Sequence, residues 1–125
     1  MQMSDKVITF EKLEVFRRAY KISIIIHQVT KKFPPEERFG LTDQIRRASK
    51  SVCANIVEGC ARQFHSKVEF RRYVIIALGS SDEVRLWCRY CHDLGLVDKE
   101  TWKTWSDEYH EISKMLNGLY KALSK

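Results

Sequence analysis

One stretch of the sequence constrains the fold more than any other, because it joins an unbroken helical stripe to unusually small side chains. In residues 38–62, apolar side chains and one glycine recur at steps of three and four: Leu41, Ile45, Ala48, Val52, Ile56 and Gly59. This spacing places them on one face of an α-helix. Serine, cysteine and alanine are frequent beside the stripe, and small side chains let neighbouring helices approach closely. We therefore expect this segment to be the most enclosed helix of a bundle.

Three further segments show helical periodicity. Helix one is expected at residues 11–32, where the adjacent Pro34 and Pro35 prevent its continuation. Helix three is expected at residues 67–93. Helix four follows at residues 99–123, and its apolar side chains repeat in a heptad pattern. The remaining connections are too short to hold other elements.

Capping signals support these boundaries. Thr42 is expected to cap the main body of helix two. Ser66 and Glu69 have the spacing of a capping box at the start of helix three. Gly95 is expected to end that helix in a left-handed conformation, and Asp98 to cap helix four.

Together these segments predict an all-α fold, an antiparallel up-down-up-down four-helix bundle. Residues 1–125 are expected to form a single domain, with residues 1–10 as a loose lead-in. The apolar rows of helix one place Tyr20 and Ile24 inside the bundle. Gly79, Ser80 and Ser81, in the middle of helix three, lower its helix propensity, and a close crossing with helix two is expected to compensate for this.

The charge of the chain is positive and unevenly distributed. The net charge is +6, and residues 1–65 carry twelve Lys/Arg against seven Asp/Glu. Such a balance favours a polyanionic partner or an acidic protein surface, and the alternative is a solvated face that serves solubility. The sequence contains neither a transmembrane run nor a signal-peptide pattern, so we expect a cytoplasmic protein without a membrane partner.

The cysteines and histidines raise the question of a cofactor. Cys88, Cys91 and His92 form the C-x-x-C-H pattern of haem attachment, but an export signal and a second axial ligand are missing. The same residues with Cys60 or His65 lack the paired spacing of zinc sites. The chain has no Glu-x-x-His for a di-iron site, and no nucleotide-binding or hydrolase motif. We therefore expect no cofactor, no metal and no enzymatic activity.

Basic side chains are then the main functional candidates. They form one group on helices one and two and another around the corner between helices two and three: Arg17, Arg18, Lys21, Arg46, Arg47 and Lys50, and Arg62, Lys67, Arg71 and Arg72. Such groups can follow a phosphate backbone, which gives salt-dependent binding with little sequence specificity. The alternative is that the helix-two arginines pair with acids such as Glu58, Asp43 or Glu83, within the chain or across a subunit contact.

Five motifs resemble one known family. They read FEKLEVF at 10–16, KKFPPEERFGLTDQIRRA at 31–48, ANIVEG at 54–59, IALGS at 76–80 and MLNGL at 115–119. In this order they resemble the four-helix-bundle proteins encoded in intervening sequences of bacterial 23S ribosomal RNA genes. Members of that family are similar to the accessory variability protein of diversity-generating retroelements, a basic ring that binds nucleic acid and a reverse transcriptase.

The resemblance implies a homopentameric ring that binds RNA, DNA or a ribonucleoprotein. A ring that serves as a scaffold for a protein partner is the alternative. The arginines at 46 and 47 match signature positions of the family, and so do four residues for which we expect a structural role: Gly40, Asn55, Glu58 and Gly59. Of these, Asn55 and Glu58 are expected to hold the helix-two crossing or a subunit contact.

Overall fold

The computed structural model describes residues 7–125, and four α-helices dominate it. They are α1 (Glu14–Thr30), α2 (Leu41–Arg62), α3 (Lys67–Asp93) and α4 (Lys99–Leu123). Short 3-10 helices, Phe10–Lys12 and Pro35–Glu37, precede α1 and α2. The described part of the chain contains no strand. The predicted all-α four-helix bundle is therefore confirmed, although α1 is shorter at both ends than expected.

Each helix packs against its two neighbours in an antiparallel cycle. The order around the bundle is α1, α2, α3, α4, so that α1 and α3 lie on one diagonal. Arg71, near the start of α3, donates to the carbonyl oxygen of Leu123 at the end of α4 at 3.2 Å. The hydroxyls of Ser51 and Ser80 meet midway between α2 and α3 at 2.9 Å. These contacts fix the up-down-up-down topology.

The N-terminal lead-in is only partly described, since residues 1–6 lie outside the described range. Ile8 and Phe10 pack against the core as expected. The side chain of Gln63 accepts from the Ile8 amide at 3.0 Å and donates to its carbonyl at 2.6 Å. These paired hydrogen bonds attach the segment before α1 to the end of α2.

Most of the predicted caps are confirmed. The Ser66 side chain accepts from the amide of Glu69 at 3.2 Å, and Asp98 accepts from the amide of Thr101 at 2.8 Å. Gly95 ends α3 with a φ of 80°, a conformation that costs glycine little. Local hydrogen bonds over three residues explain why these positions could be predicted.

The cap predicted for α2 is wrong. Gly40 is the N-cap, and Thr42 already lies in the first turn of the helix. The carboxylate of Glu37 accepts from the amide of Leu41 at 3.3 Å and takes the place of a capping side chain. The 3-10 turn before α2 makes this reach short, which the sequence pattern did not reveal.

The predicted core of α2 is confirmed along its whole stripe, because every residue from Leu41 to Gly59 in that stripe is buried. The rows of α1 are partly wrong. Tyr20 is 54% exposed and Ile24 is 44% exposed, whereas Ala19 and Ile26 are fully buried. The narrow interior of a four-helix bundle accepts only the central part of the wide apolar surface of α1.

Gly59 marks the closest approach of α2 and α3. A Cβ atom built there would lie 3.0 Å from Cδ1 of Phe70 and 3.2 Å from Cβ of Tyr73. The crossing with α2 predicted for residues 79–81 is present, but Gly79 itself makes no close approach, since a Cβ atom on it would meet nothing within 4 Å. Its neighbour Ser80 makes the contact with α2, and Ser81 bonds to the Ser113 hydroxyl of α4 at 2.8 Å.

None of the helices in residues 7–125 combines the length and the apolarity that a bilayer span requires.

Candidate nucleic-acid interface

Arg18 is engaged within the bundle. Its Nε donates to Oε2 of Glu108 at 2.9 Å and its Nη2 donates to Oε1 at 2.7 Å. The hydrogen bonds raise the pKa of Arg18 and lower the pKa of Glu108. This two-point contact fastens α1 to α4, so most of the donor capacity of Arg18 is already used.

Arg46 is engaged at the end of α1. Its Nε donates to the Thr30 hydroxyl at 2.8 Å and its Nη2 donates to the His27 carbonyl oxygen at 3.1 Å. It therefore satisfies carbonyl and hydroxyl groups in the last turn of a helix. Within residues 7–125 this arginine does not pair with an acid, and its pairing across a subunit contact stays a prediction.

Arg47 and Lys50 are exposed beside a depression of about 520 Å³ between α2 and α3. Ser51, Ser80 and Glu83 also line this depression. Neither cation forms an ion pair with a described carboxylate. Two exposed cations without acidic partners make a surface that can contact phosphates.

Arg17 and Lys21 are exposed on α1. One guanidinium nitrogen of Arg17 donates to the carbonyl oxygen of Glu11 at 3.0 Å. Within the described chain neither side chain has an acidic partner. The structure does not join Arg17, Lys21, Arg47 and Lys50 into one patch with Arg18 and Arg46, because those two turn towards α4 and the end of α1.

The second basic group gathers around Tyr73. The guanidinium carbons of Arg62 and Arg72 lie 5.2 Å and 5.4 Å from its ring centroid. Arg62 also pairs with Glu58 at 3.4 Å, and Arg72 pairs with Glu69 at 3.7 Å. This cluster is therefore nearly neutral, which reduces its attraction for a polyanion.

Lys67 and Arg71, at the start of α3, lie against the end of α4. Lys67 donates to the carbonyl oxygen of Lys125 at 3.4 Å, and Arg71 donates to the carbonyl oxygen of Leu123. Cations near the C-terminus of a helix stabilise its dipole. For these two residues, as for the other eight, the prediction of nucleic-acid binding stays a prediction.

The four signature residues have different surroundings. The amide of Asn55 donates to the Ser51 carbonyl oxygen at 2.8 Å and to its hydroxyl at 3.0 Å. This bond orients the hydroxyl that meets Ser80 on α3. Glu58 is exposed and pairs only with Arg62 among the described residues. Gly40 caps α2, and Gly59 allows the contact with α3.

The thiols lie in the core. Cys88 and Cys91 are fully buried, and burial raises their pKa values to about 12 and about 11. His92 points elsewhere and stacks on Trp102, with ring centroids 4.6 Å apart. Among residues 7–125, no three His, Cys, Asp or Glu side chains cluster in a way that could hold a metal ion.

An apolar face on the outside of α3 was not predicted from the sequence. Its members are exposed and recur within an arc of about 100° on the helix: Val68, Ile75, Ile76, Leu86 and Tyr90. Their spacing was a usable signal, since steps of seven, one, ten and four keep the side chains on a common side. We call this set the α3 face. Tyr20, Ile24 and Ile25 form a corresponding α1 face.

These features define a class: a small antiparallel four-helix bundle with exposed cations on α1 and α2 and apolar faces outside α1 and α3. The chain belongs to the family of 23S rRNA-intervening sequence proteins, whose family model matches residues 11–118. This match confirms the resemblance described above. The family description assigns no enzymatic activity.

Solved structures include similar proteins. One is a protein of unknown function from the S23 ribosomal protein family of Bacteroides thetaiotaomicron. It has a TM-score of 0.76 and 25% sequence identity, and the alignment covers 86% of this chain and 95% of that chain. None of the curated proteins is significantly similar to this chain.

Proposed function

We propose that this protein is a non-enzymatic, oligomeric four-helix bundle that binds nucleic acid or a ribonucleoprotein through a basic surface. One observation carries the proposal. Arg17, Lys21, Arg47 and Lys50 are exposed and form no ion pair with any described carboxylate. Unpaired cations keep their attraction for phosphates, whereas cations that already have partners would have to exchange them.

The expected mode of binding has little sequence specificity. Flexible lysine and arginine side chains on a helical surface contact phosphates, and phosphates are the same at every base. Each phosphate neutralised releases counterions, so affinity falls steeply with added salt. Both RNA and DNA fit this chemistry.

The apolar faces support an oligomer. α1 and α3 lie on one diagonal of the bundle, so the α1 face and the α3 face point in different directions. Two different apolar surfaces on one protomer favour a head-to-tail contact, which closes into a ring when the rotation permits. The proposal of five subunits in the ring comes from the family resemblance. We also propose that the protein is located in the bacterial cytoplasm.

Electrophoretic mobility shifts test the binding proposal. Structured RNA, single strands and duplex DNA are each measured across a salt series. We expect the variants R17E/K21E and R47E/K50E to lose at least about tenfold in affinity and to show a flatter salt dependence, by about one unit of slope per cation removed. Arg18 is left unchanged because its reversal would place two carboxylates together.

A matched control comes from α4. The variant K99E/K103E makes the same change of charge at two exposed lysines outside the basic surface. It should retain most of the binding. Absent binding, or binding that does not respond to salt, would refute the proposed function.

The scaffold function remains the second candidate. A depression of about 330 Å³ on α3 and α4 combines apolar and cationic side chains, including Ile75, Ile76, Arg72 and Tyr120. Arginine and aromatic side chains are enriched in protein interfaces. A protein partner that is still captured after nuclease treatment, and lost in an Arg72→Ala variant that remains oligomeric, would favour this function.

A further inference from the structure

A depression of about 350 Å³ lies where the end of α1 meets the start of α2. Three cations line it, Lys31, Arg38 and Arg46, together with the hydroxyl-bearing Thr30 and Thr42. The rest of its described lining is apolar and contains no carboxylate. Small-ligand sites begin at about this volume, so the depression suits one small anionic group.

Thr42 gives this corner an unused donor. It is only 7% exposed, and its hydroxyl forms no hydrogen bond with another of the described residues 7–125. The comparable hydroxyls of Thr30 and Ser49 each donate to a carbonyl oxygen three residues earlier, at 3.1 Å. The Thr42 hydroxyl is therefore free to bond to a ligand in the depression, and burial makes that bond more valuable.

The guanidinium group of Arg46 is held in a fixed orientation beside the depression. Its Nε and Nη2 are bonded to Thr30 and to the His27 carbonyl oxygen, which fixes the plane of the guanidinium group. Its Nη1 has no described partner. A preorganised guanidinium loses little conformational entropy when it binds an anion.

The local field is positive. Loss of hydration lowers the pKa of His27, and Arg46, Lys50 and Lys31 lower it further. Glu37, in the turn before α2, caps the amide of Leu41 and does not line the depression. A ligand in the depression would therefore meet three cations without a competing carboxylate in the wall.

We propose that the α1–α2 corner, with Lys31, Arg38, Arg46 and Thr42, is a binding site for a phosphomonoester dianion. Such a group carries nearly two charges at pH 7 and three terminal oxygens, so it matches three cations better than a phosphodiester or a carboxylate does. The inference deepens the proposed function, on which it rests: the group is the terminal phosphate of a nucleic-acid strand. Free inorganic phosphate has the same chemistry and is separated by the test.

Fluorescence anisotropy tests the site with one single-stranded oligonucleotide in three forms. One form has hydroxyls at both ends, one has a 5′-phosphate and one has a 3′-phosphate. We expect one phosphorylated form to bind about tenfold more tightly, the effect of one or two charge-assisted hydrogen bonds. The variant K31Q/R38Q should abolish this gain, and Thr42→Val should reduce it. Arg46 is left intact because it also stabilises α1.

The control K32Q/K103Q removes two exposed lysines that do not line the depression. It should keep the gain from the terminal phosphate. Equal affinity for all three oligonucleotides, or a gain that survives in K31Q/R38Q, overturns the site as a receptor of strand ends while the proposed function stands.

Inorganic phosphate alone is titrated in parallel, with amide chemical shifts as the readout. Saturable shifts around Thr42 that K31Q/R38Q abolishes support the site even if no oligonucleotide binds, in which case only the proposed function fails. Absence of both the terminal-phosphate gain and these shifts overturns the site altogether.

Discussion

Arg18 and Glu108 are ninety residues apart in sequence and share a two-point ion pair, with hydrogen bonds of 2.9 Å and 2.7 Å. Their side chains are 33% and 28% exposed, so water screens the pair only partly. The contact joins the first helix to the last. It therefore holds α1 against α4, the two neighbouring helices that pack together least extensively.

A double-mutant cycle of Arg18→Ala and Glu108→Ala should give a coupling free energy of about 1 kcal/mol, because partial burial strengthens the pair beyond a surface contact. The measurement is urea unfolding of the four proteins. The control is the cycle of Arg72→Ala and Glu69→Ala, an exposed pair at 3.7 Å, which should give a few tenths at most. Equal couplings in the two cycles would contradict the structural role of Arg18.

Gly59→Ala should destabilise the bundle by about 1–3 kcal/mol, because the added methyl group meets Phe70 and Tyr73 at 3.0–3.2 Å. Gly79→Ala is the matched control, since its methyl group meets nothing within 4 Å. The control should stabilise α3 by about 0.5–1 kcal/mol through the lower entropy of the unfolded chain. Thermal unfolding of both variants gives the sign directly, and a stabilised Gly59→Ala would disprove the close approach.

The stability of the protein should fall as the pH is lowered below 6.5, partly because of His27. Burial lowers its folded-state pKa below the unfolded value of 6.5, so the unfolded chain binds more protons in acid. The stabilisation from the neutral imidazole is complete above pH 6.5. It decreases, by at most about 1.4 kcal/mol per pH unit, until the folded pKa is passed.

Urea unfolding between pH 7.5 and pH 5 measures this effect. The His27→Gln variant should show a flatter pH dependence over that interval. His110→Gln is the control, because that histidine is exposed on α4 and its replacement should leave the slope unchanged. A variant at His27 with the slope of the unmodified protein would exclude this histidine as the cause.

Ile24→Lys and Ile75→Lys should each dissociate the proposed oligomer, because a lysine in either apolar face leaves an unpaired charge in the contact. Native mass spectrometry measures the state of assembly. Phe64→Lys is the control, an exposed apolar side chain in the turn between α2 and α3 and outside both faces. If the two faces contact each other head to tail, a mixture of the two variants should form a heterodimer, because each variant keeps one intact face. It should form no ring. Intact rings in either variant would argue against the faces as the contact.

The parts of this fold that could be predicted depend on interactions between residues that are close in sequence. The stripe of α2 follows from helical periodicity, and the caps at Ser66 and Asp98 follow from hydrogen bonds over three residues. Gly59 also belonged to that stripe, although its partner Phe70 could be identified only from the packed helices.

The parts that could not be predicted depend on contacts distant in sequence. Nothing near Arg18 indicates Glu108, so an engaged arginine and a free one look alike in sequence. Tyr20 and Ile24 were predicted inside the bundle because an apolar side chain signals burial without saying whether the covering surface belongs to the same chain. The basic group was therefore divided by the structure into residues that hold the bundle and residues that face solvent.

The burial of Cys88 and Cys91 has a practical consequence. Their thiols are fully enclosed and remain protonated at neutral pH, so an alkylating reagent can modify them only after α3 separates from its neighbours. The rate at which these thiols are alkylated in the unmodified chain therefore reports how often the bundle opens. Protection of these sulfurs on addition of a polyanion would reveal how tightly a bound ligand locks the helices together.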